Sequence, residues 1–217
     1  MSMSIFDRIE QRQWGIRHKQ TSHIIKRTSK LHLKVILASD TAFMKILNML
    51  QQADCGLLQW TFVQRERRLV IPAARMLSRM GDGYLPVLTI LVCFSISNPF
   101  YRQLAWQLTL LFLIERFIYF VAKNTLRRQR PAETLNSFTA LVVASDKFSF
   151  PSGHTSAATL YAAIIYQHFP ILGACLLLWA AGVGASRVIL GVHYPSDILA
   201  GASLGLSIAC LELTMPL

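Results

Sequence analysis

KNTLRRQRP (residues 123–131), PSGH (151–154) and SRVILGVHYPSD (186–197) are three polar stretches set into a second half that is otherwise apolar. Each sits at the edge of an apolar segment. Polar residues beside hydrocarbon are costly unless they pair or face water, so this placement implies one shared site at a membrane surface. The residue types suit a phosphate. Arg130 and Arg187 can fork onto phosphoryl oxygens through paired charge-assisted hydrogen bonds, while Lys123 adds a point charge. His154 and His193 suit a covalent route in which one imidazole attacks phosphorus and the other protonates the leaving oxygen.

Outward from these stretches, apolar runs at 84–97, 104–122, 151–169, 171–188 and 195–213 predict an all-α bundle with about five spans, the first shorter than the roughly 20 residues a bilayer needs. Asn98-Pro99 marks the first turn. The second run delivers Lys123 to the interface. Lys123, Arg127 and Arg130 follow i, i+4, i+7 spacing, so a helix continuing to Pro131 puts all three on one face, with Arg127 as an accessory cation. Glu115 and Arg116 lie within that run, as an ion pair between helices or, for Arg116, as an extension of the cationic pocket.

Pro151-Ser152-Gly153 opens the third run, and the free N–H groups of a helix start form a ready anion site. Ser186, beside Arg187, is a second accessory residue. Pro195 suits the first position of the last helix, which leaves His193 just outside it. Asp197 then falls in the first turn, where the helix dipole favours a carboxylate and an imidazole nitrogen is within reach. Gly201 and Gly205 form a GxxxG pair of the kind used for close helix packing.

Residues 1–80 read differently. The formal charge of +11 is concentrated before residue 80 and between Lys123 and Arg130. Residues 1–34 are basic and polar with scattered apolar positions, and 31–50 and 59–80 read as amphipathic helices lying at the interface. The organisation expected is a basic N-terminal region over 1–80 and a membrane domain over 81–217, with an anionic lipid surface as partner. No signal peptide is visible. Apolar runs and the lack of any nucleic-acid motif argue against nucleic acid, although the chain is basic.

Cys93, Cys175 and Cys210 lie in apolar runs and Cys55 stands alone. They read as small hydrophobes with no disulfide framework and no metal-ligand spacing. Asp197, Glu133 and Asp146 are the acidic residues near the motifs, too few and too scattered for a two-metal site. No metal and no cofactor is expected, and nothing in the sequence speaks to oligomeric state.

Taken together, KxxxxxxRP, PSGH and SRxxxxxHxxxD resemble, in order and internal spacing, the three signature motifs of the type 2 phosphatidic acid phosphatase (PAP2) superfamily. The resemblance covers roughly the second half of the chain. It implies a membrane-embedded, metal-independent phosphatase acting on a lipid phosphate or diphosphate of the phosphatidate, phosphatidylglycerophosphate or undecaprenyl diphosphate type. It further implies His193 as nucleophile, Asp197 as its partner, His154 as general acid and then base, and Lys123, Arg130, Arg187, Ser152 and the Gly153 N–H as phosphate ligands. Two alternatives stay open: a non-catalytic protein or transporter that binds anionic lipid, and a vanadium haloperoxidase-like enzyme.

The location expected is a bacterial inner membrane. Five spans put the basic N-terminus and the site on one side, and the positive-inside rule makes that side cytoplasmic. A further span within 31–63 would move the site to the opposite face.

Overall fold

Proline and its neighbours set where the helices of this chain begin. In the computed structural model the described residues are Lys45, 48–135, 139–144 and 146–214. The chain divides into two units, Met1–Gln51 and Gln52–Leu217. Within the first, Lys45 and 48–51 are helical; the basic tail and nearly all of the amphipathic segment expected at 31–50 lie outside the described residues.

The second unit contains α1 (helical over 52–64), α2 (Val70–Met80), α3 (Tyr84–Ser95), α4 (Pro99–Leu126), a single turn α5 (Pro131–Thr134), α6 (Gly153–His168), α7 (Pro170–Ile189) and α8 (Pro195–Thr214). Pro99, Pro131, Pro170 and Pro195 each open a helix, at the position where a missing N–H costs nothing and φ is already helical. Asn98 caps α4, its side chain accepting from Phe100 N at 2.9 Å.

The apolar runs of the sequence correspond to α3, α4, α6, α7 and α8. Among the described residues, three segments are long and apolar enough to cross a membrane: Val70–Ser95, Pro99–Thr134 and Pro170–Ile189, with Pro195–Leu211 a shorter apolar helix. The short first run is thus extended backwards by α2 across a glycine break, and the second run starts five residues early, at Pro99.

α6 is the centre of the bundle, packed against α7 and α8 and also touching α4. Ser156, Ala158 and Ala162 are small and buried, which lets neighbouring backbones approach closely, the packing mode of helices that gain nothing by excluding lipid. The larger core forms where Leu104, Leu108 and Leu111 of α4 meet Leu160, Ile164 and Ile165 of α6 and Ile208 of α8. The outer surface is apolar too: Leu91, Leu113, Phe117, Phe120, Ile171 and Leu178 are exposed. A helix apolar inside and out suits a lipid environment. Of the cysteines, Cys93 is buried whereas Cys175 and Cys210 lie on this outer face.

The GxxxG pair does pack helices. A methyl group on Gly201 would stand 2.5 Å from Ser152 O and one on Gly205 2.5 Å from Ser156 O and 2.8 Å from Leu160 N, all backbone atoms of the α6 segment that cannot give way. At Gly182 the same methyl would meet only Leu77 side-chain atoms, at 3.5 Å and beyond. Gly205→Leu is therefore expected to destabilise the detergent-solubilised protein by about 1–3 kcal/mol through overpacking, and Gly182→Ala to leave it near wild type. Melting temperatures of the two variants check this contrast.

Candidate active site

α4 ends inside the cationic stretch, between Lys123 and Arg127, and that ending decides which cations meet. Its C-cap Arg127 has left-handed φ 47 and ψ 36, so the helical face predicted for Lys123, Arg127 and Arg130 does not continue. Arg127 is exposed and spends its Nε on Asn124 O at 2.8 Å. Residue 128 is turned inward instead. From there the chain runs extended to Arg130, and Pro131 starts α5.

Lys123 and Arg130 converge on one carboxylate. Asp146 accepts Tyr119 Oη–H, pairs with Lys123 Nζ at 2.5 Å and forms an ion pair with Arg130. Arg130 also donates to Phe148 O and Val192 O, tying the loop before α6 to the loop before α8. A cationic cluster without an anion would be destabilising; Asp146 supplies that anion. Burial works to raise the Asp146 pKa, but the hydrogen bonds from Lys123 and Tyr119 and the adjacent charges hold it below the usual carboxylate range.

The start of α6 is held close to α4. A methyl group on Gly153 would fall 2.8 Å from the Tyr119 ring, so only glycine fits there. Arg116 donates to Gly153 O at 3.1 Å, and Glu115 accepts from Ser156 at 2.5 Å while pairing with Arg116. The Glu115–Arg116 pair thus forms within α4, between sequence neighbours, and both members reach across to α6. Ser152 donates its N–H to Asp197 O and shares its hydroxyl with Thr155 at 3.0 Å. Ser186 gives its hydroxyl to Val183 O at 2.6 Å.

Arg187 occupies the last turn of α7, buried, with one N–H on Ser78 Oγ at 2.7 Å and its Nε unpartnered. His193 follows on the loop after Gly191, whose φ of 81 requires glycine. His193 is 2 % exposed, and its Nδ1 stands 3.6 Å from Asp197 Oδ2, beyond a direct hydrogen bond. Burial pushes the His193 pKa down to about 4; Arg130 and Arg187 add to this and Asp197 opposes it.

Asp197 is fixed from the other side. Tyr194 N donates to its Oδ2 at 2.8 Å and Arg128 to its Oδ1 at 2.8 Å. Arg128 continues to Asp54 of α1 at 2.6 Å, and Asp54 in turn accepts from Ser196 N and Oγ. One cavity of about 640 Å³ gathers Gly153, His154, Arg187, His193, Asp146 and Arg116, together with Pro86, Val87 and Ile90 of α3 and Phe112 of α4. It is polar at one end and apolar at the other.

The structure therefore brings His154, Arg187, His193 and Gly153 to one cavity and ties Lys123 and Arg130 to its Asp146. Arg127 and the hydroxyls of Ser152 and Ser186 have other partners. Arg128, Tyr119, Asp54 and Asp82, whose carboxylate is 2.8 Å from His154 Nε2, were not singled out from the sequence. Tyr119 and Arg128 had a local signal, the first one helical turn before Lys123 and the second inside the 123–131 stretch.

A family model described as the PAP2 superfamily matches residues 104–217, and the chain belongs to that superfamily. Phosphatidylglycerophosphatase B of Bacillus subtilis (strain 168) is 38% identical over 134 residues, covering 55% of this chain and 63% of the relative. An undecaprenyl-diphosphatase of Sulfolobus acidocaldarius is 31% identical over 142 residues, covering 63% of this chain and 66% of the relative. The chain thus spans just under two thirds of each.

Among solved structures, a transmembrane PAP2-type phosphatidylglycerolphosphate phosphatase from Bacillus subtilis superposes with TM-score 0.62 at 30% identity, over 78% of this chain and 87% of that one. Aquifex aeolicus LpxE superposes with TM-score 0.63 at 23% identity, over 74% and 94%, a likeness of fold. With its apolar helices, the chain is a membrane protein.

Two outcomes follow from the site's electrostatics. Arg128→Ala leaves the buried carboxylates of Asp54 and Asp197 without their cation and is expected to cost about 3–5 kcal/mol, read as a loss of melting temperature that Arg128→Lys restores only in part. The second concerns His193, whose unfolded pKa is about 6.5 and whose folded value is about 4. Between those values the unfolded chain binds the proton first, so the stability from a neutral His193 is full above pH 6.5 and lost as pH falls toward 4. Melting temperatures of wild type and His193→Gln should converge on that descent; a constant difference from pH 7 to 4 would contradict it.

Proposed function

We propose that this chain is a membrane-embedded phosphatase that hydrolyses a lipid phosphate or diphosphate through a phosphohistidine on His193, without a metal, in the inner membrane of a bacterium. The observation that carries this reading is the two-ended cavity. Its polar end holds both histidines and Arg187, and its apolar wall of Pro86, Val87, Ile90 and Phe112 opens among helices that face lipid. A phosphate at the first end leaves its hydrocarbon anchor at the second.

In this reading His193 attacks phosphorus through Nε2, since Asp197 faces Nδ1, and the attack breaks the bond to the leaving oxygen. Its depressed pKa keeps the ring neutral at physiological pH, which is the form with a lone pair to donate. His154 protonates the departing oxygen, then takes a proton from the water that cleaves the phosphohistidine and releases inorganic phosphate. Arg187 presents its unpartnered Nε to the phosphoryl oxygens, and Lys123 and Arg130 supply further charge once phosphate replaces the Asp146 carboxylate. Preorganised cations of this kind are expected to be the largest contribution to the rate.

Lipid class is set by what fits the polar end. The relatives are named for phosphatidylglycerophosphate and undecaprenyl diphosphate, and both present a terminal phosphate at the interface. Phosphate release by the detergent-solubilised protein in EDTA, from phosphatidylglycerophosphate, undecaprenyl diphosphate and phosphatidate, tests the reading. Wild type should release phosphate from at least one, His193→Ala from none, and His154→Ala should be slower by about 10²–10⁴-fold. Release that survives His193→Ala, or that EDTA abolishes, would overturn it; a folded wild type inert on all three would favour a lipid-binding protein.

A further inference from the structure

The turn between α2 and α3 reads Gly81-Asp82-Gly83, and it is built to hold the central residue in one place. Gly81 N–H closes α2 onto Leu77 O and Ser78 O, and a methyl group there would strike Val183 of α7 at 2.6 Å. Gly83 has φ 95, a conformation that L side chains rarely adopt. Asp82 N–H returns to Arg79 O at 3.1 Å. Between these constraints the Asp82 side chain enters the shared cavity and places Oδ1 2.8 Å from His154 Nε2.

His154 needs such a partner. It sits in the first turn of α6, where the positive end of the helix dipole disfavours a charged imidazole, and Arg187 lines the same cavity. A ring that delivers a proton must carry it first, against both effects. A carboxylate at hydrogen-bond distance offsets them. It also selects the nitrogen: with Nε2–H held by Asp82, Nδ1 is the atom left to exchange a proton with the leaving group. Asp197 plays the converse part on His193, facing Nδ1 so that Nε2 is left to attack.

We infer that Asp82 is the positioning residue for the leaving-group acid, so that this site runs on two carboxylate–histidine pairs, Asp197 with His193 and Asp82 with His154. The proton passes from His154 Nδ1 to the oxygen whose bond to phosphorus breaks. Nε2–H stays on Asp82, and the bare Nδ1 then accepts a proton from the attacking water. This rests on the assignment of His154 as the acid.

Leaving-group dependence separates this role from a structural one. An alkyl alcohol leaves as a strong base and needs a proton; a nitrophenolate leaves without one. The assay compares two phosphate monoesters of matched chain length in detergent, one of a long-chain alkanol and one of an alkyl-substituted 4-nitrophenol. It uses wild type, Asp82→Asn, Asp82→Ala, Asp82→Glu and His154→Ala, each checked for an unchanged melting temperature.

The two removal variants should lose about tenfold or more in kcat/KM on the alkyl ester, part of the 10²–10⁴ that a positioned acid contributes. That parameter ends at alcohol release and so excludes the shared hydrolysis of the phosphohistidine. They should keep most of their kcat/KM on the nitrophenyl ester, whose leaving group needs no proton. Asp82→Glu should recover part of the alkyl rate, and His154→Ala should show the same split more strongly. Equal losses on both esters in the Asp82 variants, or no loss, alongside a split in His154→Ala, would overturn the role of Asp82. Equal losses on both esters in His154→Ala would instead overturn His154 as the acid, and the inference with it.

Discussion

A cation buried at the polar end of this bundle is costly unless an anion meets it, and most of the cations there are so matched. Lys123 and Arg130 meet Asp146, Arg128 meets Asp54 and Asp197, and Arg116 meets Glu115. These pairs do more than neutralise. Asp146 comes from the loop before α6, Asp54 from α1 and Asp197 from α8, so the pairs of Lys123, Arg130 and Arg128 join separate elements at this end. Arg187 differs in having an Nε without a partner, which is where an incoming anion gains most.

The same constraint explains why the site sits where helices begin and end. α2, α4 and α7 arrive at this end and α3, α6 and α8 leave from it, so helix termini supply the backbone groups that polar side chains need. Ser152 N–H on Asp197 O and Arg130 on Val192 O knit these ends into one layer. Below that layer the interior is packed through small residues, and glycine at 153, 201 and 205 brings α4 and α8 against α6. Close packing fixes the distance between His154 on α6 and His193 before α8 to within what the backbone allows.

Much of this was legible in the sequence because it is local. Pro170 marked the break before α7 and Pro195 the start of α8, apolar runs placed the buried and lipid-facing segments, and the three polar stretches contain both histidines, Asp197, Arg187 and the two cations that meet Asp146. What failed was also local in origin: a left-handed residue at Arg127 turned the chain by one position and exchanged Arg127 for Arg128 as the inward cation. What was invisible was long-range. Asp82 lies 72 residues from His154 and Asp54 lies 142 from Ser196, and no periodicity links positions so far apart. Asp82 also sits in a glycine turn, a setting in which solvation is the ordinary expectation.

The central claim is that His193 attacks phosphorus. Rapid acid-and-base quenching during turnover of a lipid phosphate carrying labelled phosphorus, followed by peptide mapping, tests it most directly. The account predicts a base-stable, acid-labile label on the peptide containing His193, missing from His193→Ala. Sustained turnover with no labelled peptide at any time point, or a label on a different residue, would contradict it.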